Sequence, residues 1–136
     1  MKFPDDFRTE TGLDAAEDHI GPFWHGVDDS GPIYAFRAAA HHCNANGTVH
    51  GGVLMTFADF ALCMAATNNY DDETCVTVSF SSEFVAVANI DDLVTCRVEV
   101  TRKTRSMAFV RGAVSSGDEV VFTFSAVVRR FVEATS

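Results

Sequence analysis

The chain has 136 residues, 47% of them hydrophobic and three of them proline, with nineteen acidic against ten basic side chains and a formal net charge of −9. One domain accounts for that length, and at that size about two thirds of the surface an unfolded chain exposes can be buried, so a core forms without staples. The negative charge argues against nucleic acid or an anionic membrane as partner, and Cys43, Cys63, Cys75 and Cys96 lack the C-x-x-C spacing of a zinc or redox motif.

Taken in order, the N-terminal "MKFPDDFRTE" has no apolar stretch of the secretory type, and a cytoplasmic protein is expected. Fraying is expected at Met1 to Asp6 and at Glu133 to Ser136. Gly12 to Ile20 reads as a short helix with acidic residues near its start, ended at Gly21-Pro22. The next stretch, Gly21 to Pro32, reads as a loop carrying Phe23 and Trp24. Pro32 to Ala39 has the aromatic and branched composition of a first strand.

Gly51 to Asn69 is too long for one strand and rich in leucine, alanine and methionine, which predicts a central helix apolar on nearly every side. Such a helix must be wrapped. From Thr74 to Ala88, Val76, Val78 and Phe80 alternate with Thr77, Ser79 and Ser81, the period of a half-buried strand. Leu93 to Lys103, Met107 to Ser116 and Glu119 to Phe131 are β-patterned too, and their short connections make antiparallel neighbours. The expected layout is α+β, a single domain over 1–136 with a helix and loop in 1–31 and a core in 32–132, one antiparallel sheet curled around one helix.

That central helix carries one formal charge, Asp59. A carboxylate among apolar residues is costly unless it has a partner or a purpose, so Asp59 is the foremost catalytic candidate, as nucleophile or as general base on water. Gly51 and Gly52 leave the first N–H groups of the helix uncovered, where an oxyanion can be held; small residues there would equally let the helix start approach a strand. Gly51 and Asp59 lie roughly 12 Å apart along one helix, at about 1.5 Å per residue. If both serve one reaction, they come from two copies of the chain, and a homodimer with interfacial sites follows.

The run "NANGTVHGG" followed by "VLMTFAD" resembles the signature of the hotdog-fold thioesterases of the PaaI-like, phenylacetic acid degradation type. The resemblance implies a hotdog fold, an antiparallel β-sheet wrapped around a long central α-helix, and hydrolysis of acyl-coenzyme A by a homodimer, commonly paired into a homotetramer. Carried over by position, the Gly51 N–H would hold the thioester carbonyl, and Asp59 of the partner chain would be nucleophile or base. Asn44 would orient the water or the thioester, His50 would shape the turn and the thioester end of the site, and Thr77 would assist from the following strand.

Coenzyme A is anionic, and Arg97, Arg102, Lys103, Arg105 and Arg111 concentrate half of the basic residues in one window. Arg102, Lys103 and Arg105 are the expected phosphate contacts, with Gly52 beside the thioester. No glycine-rich phosphate loop is present, so ATP and NAD are not expected, and no cofactor is needed when coenzyme A is part of the substrate. His41, His42, Cys43 and His50 do not have metal-site spacing, and a Cys43, His50, Asp59 triad would need Asp59 to reach back more than two helical turns. A hotdog hydratase or dehydratase and a non-catalytic acyl-coenzyme A binding module are the alternatives. Phe23, Trp24, Phe57, Phe60 and Met64 suit an acyl pocket or a core equally.

Overall fold

The structure, a computed structural model, describes residues 6–132; apart from Asp6, the ends expected to fray lie outside them. The elements are α1 (Ala15–Ile20), β1 (Trp24–Asp28), β2 (Gly31–Arg37), a 3-10 turn (Ala40–His42), α2 (Gly51–Ala66), β3 (Glu73–Phe84), β4 (Leu93–Lys103), β5 (Met107–Ser116) and β6 (Glu119–Val132). The strands form one antiparallel sheet in the order β1-β2-β4-β5-β6-β3. It curls around α2, and Phe36, Phe57, Leu62 and Phe122 fill the space between them with no more than 1% of their surface exposed. None of the helices among the described residues is long and apolar enough to cross a membrane.

α1 starts where the Asp14 side chain accepts the Glu17 N–H at 3.0 Å, an N-cap that satisfies one orphan donor. The segment read as a loop from Gly21 to Pro32 contains a strand instead. β1 pairs with β2 through a tight turn whose Ser30 N–H is bound by Asp28 Oδ1 at 2.9 Å. The two glycines and the DDS turn signal mask a five-residue strand, which gains its pairing from β2 and from a single bridge between His25 and Arg8.

α2 ends three residues earlier than the composition suggests. The Thr67 hydroxyl donates to the Cys63 carbonyl at 2.7 Å, and Asn68, Asn69 and Tyr70 then adopt left-handed backbone with φ of 49°, 59° and 60°. Three consecutive non-glycine residues in that region carry strain that the packing must hold.

β3 has the expected period. Val76 and Val78 are 53% and 56% exposed, while Cys75 and Thr77 turn toward α2. A bulge between Thr77 and Ser79 then shifts the register, so that beyond it Phe80 faces inward. The helix presents a carboxylate at this level, and the strand turns a hydroxyl and one thiol toward it rather than valines.

Candidate active site

Asp59 sits midway along α2, partly buried, and its Oδ1 accepts the Thr77 hydroxyl at 2.6 Å. One helical turn on, the Cys63 thiol lies 3.9 Å from the same oxygen and 3.6 Å from Thr77 Oγ1. A hydrogen bond to Cys75 is the main influence raising the Cys63 thiol above its ordinary range, with burial and the Asp59 charge adding to it. Cys63 is therefore a neutral thiol that donates, and it supports the carboxylate rather than attacking substrate. Tyr70 lies beside the group; burial above all, then the neighbouring Cys63 and Cys75, pushes its hydroxyl above the ordinary range.

Cys63, Cys75 and Tyr70 were not singled out from sequence. The signal existed for the two cysteines: Cys63 is four residues from Asp59 on one helix face, and Cys75 is two from Thr77 on one strand face. For Tyr70 nothing in the sequence marks the left-handed turn that delivers it.

At the other end of α2, His50 is the N-cap, and its Nδ1 accepts the Gly52 N–H at 2.9 Å. That bond fixes the neutral tautomer with the proton on Nε2 and occupies the Gly52 donor. The Gly51 N–H meets no acceptor among the described residues. A Cβ on Gly51 would lie 2.9 Å from the Phe84 ring, so the glycine lets that exposed ring pack close, and a larger residue would have to push it aside. Of the two glycine donors expected for an oxyanion, only the Gly51 N–H is therefore open; the Gly52 N–H is taken by His50.

Asn44 spends its side chain on its own turn. Its Oδ1 accepts from Asn46 N–H at 2.9 Å and Thr48 N–H at 3.2 Å, and its Nδ2 donates to Thr48 Oγ1 at 2.8 Å. The neighbouring histidines hold α1 in place: His42 accepts the Ala39 N–H at Nδ1 and donates from Nε2 to the Ile20 carbonyl at 2.6 Å, while His41 reaches the Gly21 carbonyl at 3.0 Å. Within one chain, then, Asp59 and Thr77 meet, whereas Asn44, His50 and Gly51 gather at the far end of the helix.

The basic window divides. Arg97 pairs with Asp28, Arg111 with Glu99 at 2.8 Å, and Lys103 with Glu73 at 3.2 Å, leaving Arg102 and Arg105 as the members with no ion pair among the described residues. Glu73 is buried and also forks onto Arg130, at 3.0 and 2.7 Å; the Arg130 hydrogen bond is the largest influence holding its carboxyl below the ordinary range. Because Phe84 lies against Gly51 while Glu73 begins the same strand, the 102–105 turn lies at the sheet end opposite Gly51 of its own chain.

The sequence pattern of the thioesterase superfamily matches residues 46–123, the stretch holding His50, Gly51, Asp59 and Thr77. The chain belongs to that superfamily, its sheet and long helix are the hotdog fold, and it is a thioester hydrolase. PA0474 of Pseudomonas aeruginosa, whose given name is that of an esterase, is 32% identical over 129 residues, covering 93% of this chain and 96% of that one. The Escherichia coli PaaI protein from the phenylacetic acid degradation operon superposes with a TM-score of 0.78 at 17% identity, over 91% of this chain and 89% of its own. A Streptococcus pneumoniae thioesterase solved with coenzyme A gives 0.70 at 16% identity, over 96% and 93%.

Proposed function

We propose that the chain hydrolyses acyl-coenzyme A thioesters to free acid and coenzyme A, at sites shared between two copies. The observation that carries this reading is the Asp59 carboxylate, fixed through Oδ1 by Thr77, with the uncovered Gly51 N–H roughly 12 Å away along the same helix. Reacting groups must approach to about 3–3.5 Å, so a second helix running the other way has to supply the missing half. β3 is an edge strand with Val76 and Val78 exposed, which is where a second copy can pair. The Streptococcus pneumoniae relative holds coenzyme A, which favours that thiol as the leaving group here.

In this reading Asp59 Oδ2 takes a proton from water as the water oxygen adds to the thioester carbonyl carbon. The resulting oxyanion lies on the partner's Gly51 N–H, the C–S bond breaks, and the thiolate leaves and takes up the proton. His50 and Asn44 set the geometry of the Gly51 end, and Arg102, Arg105 and Lys103 face the nucleotide phosphates. As a hydratase, the site would need His50 as an acid–base partner for Asp59, and the Gly52 N–H already occupies its Nδ1.

Thiol release from benzoyl-, phenylacetyl- and straight-chain acyl-coenzyme A is the test. Turnover that falls by about a hundredfold or more in Asp59→Asn is expected. Undiminished turnover in the variant, or none in the native protein with binding intact, would move the reading to another residue or to a binding module.

A further inference from the structure

The N-terminal segment, which carries little of the family signature, builds one wall of a cavity of about 500 Å³. Its floor is apolar: Phe23, Phe60 and Met64, with Phe23 and Phe60 ring centroids 5.3 Å apart. Leu13, 82% exposed, stands at its rim, and Tyr70 closes it on the side of the α2–β3 turn. The opposite wall is acidic, with Glu10, Asp14, Glu17 and Asp18 all lining it.

The cavity lies beside the Asp59 carboxylate, which is not itself one of its lining residues. Phe60 follows Asp59 and Met64 follows Cys63 on α2, so the floor and the Asp59 group are adjacent faces of one helix. Tyr70 lines the cavity beside Cys63, which in turn lies against Asp59. Glu17 is half-buried at the wall and close enough to Asp59 for their charges to interact; its carboxyl is pushed up to about 7 by burial first, then by Asp14, Asp59 and Asp18.

Resting on the thioesterase reading, we propose that this cavity holds the acyl group and that its acidic wall, Glu17 foremost, selects uncharged acyl chains of medium length and excludes those ending in a carboxylate. The volume lies within the range of pockets that enclose drug-sized ligands, far more than an acetyl group fills. The floor rewards burial of methylenes or a ring. A terminal carboxylate carried to this depth meets the exposed Asp14 and Asp18 and the half-buried Glu17, whose repulsion is felt in full only above about pH 7, where Glu17 is ionised, so the comparison is made at pH 8.

The experiment compares octanoyl-coenzyme A with its eight-carbon analogue bearing a terminal carboxylate, in the native protein, Glu17→Gln and Glu17→Lys. Native kcat/KM is expected to favour octanoyl by on the order of tenfold or more, the ratio to narrow several-fold in Glu17→Gln, and further in Glu17→Lys. A ratio that is the same in all three proteins overturns the proposal. Calorimetric binding of the corresponding non-hydrolysable thioethers reads the pocket separately from the chemistry. If no thioester is turned over but the uncharged thioether binds more tightly and Glu17→Gln closes the gap, the pocket stands while the hydrolase reading falls; equal binding of both thioethers to the native protein overturns the pocket.

Discussion

The Thr77 hydroxyl donates to Asp59 Oδ1 at 2.6 Å, tying edge strand β3 to the central helix at the one carboxylate that helix carries. The bond orients the carboxylate and leaves Oδ2 for water. Thr77→Val removes the donor at nearly constant volume, and hydrogen bonds to charged groups are worth about 1.5–3 kcal/mol, so kcat/KM should fall about 10- to 100-fold. Thr77→Ser keeps the hydroxyl and should retain most of the rate. Steady-state thiol release measures both, and loss in Thr77→Ser with little loss in Thr77→Val, which keeps the methyl group, would show that packing rather than the bond matters.

His50 caps the helix whose first N–H is assigned the oxyanion. Replacing it with alanine removes an N-cap worth about 1 kcal/mol and should lower Tm by about 4 °C. Asp or Asn, which cap well, should restore the Tm. Were His50 an acid–base catalyst, these capping variants would remain inactive while regaining stability, so paired melting and rate measurements separate the two roles.

The Glu73–Arg130 fork is buried, and Lys103 closes on the same carboxylate. Glu73→Gln leaves Arg130 without its counter-charge, at a cost of about 3 kcal/mol. The pH dependence has a definite sign. With its folded pKa depressed below 4.5, Glu73 contributes stability that is present above that value and is lost as pH falls through the folded one. Urea unfolding from pH 6 down to 3 should show a slope that the variant lacks.

His42 loses stability in the same direction, but because its neutral form is the one favoured by folding. Burial is the largest influence lowering its pKa from 6.5, so the folded state prefers the neutral ring that accepts from Ala39 and donates to Ile20. Its contribution is complete above about 6.5 and declines as pH drops below it, because the unfolded chain takes up the proton first. Midpoints between pH 7.5 and 5 should fall in the native protein and fall less in His42→Asn.

Arg102 and Arg105 supply a test of where the nucleotide lies. Replacing both with glutamate should raise KM for acyl-coenzyme A by about tenfold or more and weaken its salt dependence, with kcat changed less. An unchanged KM would return the turn to ordinary exposed surface.

Periodicity and composition made the long helix and the four long β-segments legible, because each has one dominant pattern over ten or more residues. β1 was hidden because five residues between turn signals have no pattern of their own and pair only through a neighbour. The alternation of β3 did not say which face turns inward: Val76 and Val78 face out because Asp59 on the facing helix selects the Thr77 hydroxyl. Glu73 and Arg130 are 57 residues apart, and no local pattern announces their pairing. Asp59 stood out for the reverse reason: one charge on an apolar helix is visible without any partner.

Mixing two inactive variants measures the shared site directly. Asp59→Asn removes the carboxylate, and Gly51→Pro removes the N–H at the first helical position, where proline is tolerated. Each variant alone should release little thiol. After the two are mixed and allowed to exchange subunits, half of the dimers are mixed and each of those holds one intact site, so activity should recover to about a quarter of the native value. Full activity of Gly51→Pro alone, or a mixture no more active than its components despite proven exchange, would contradict a site built from Asp59 of one chain and Gly51 of the other.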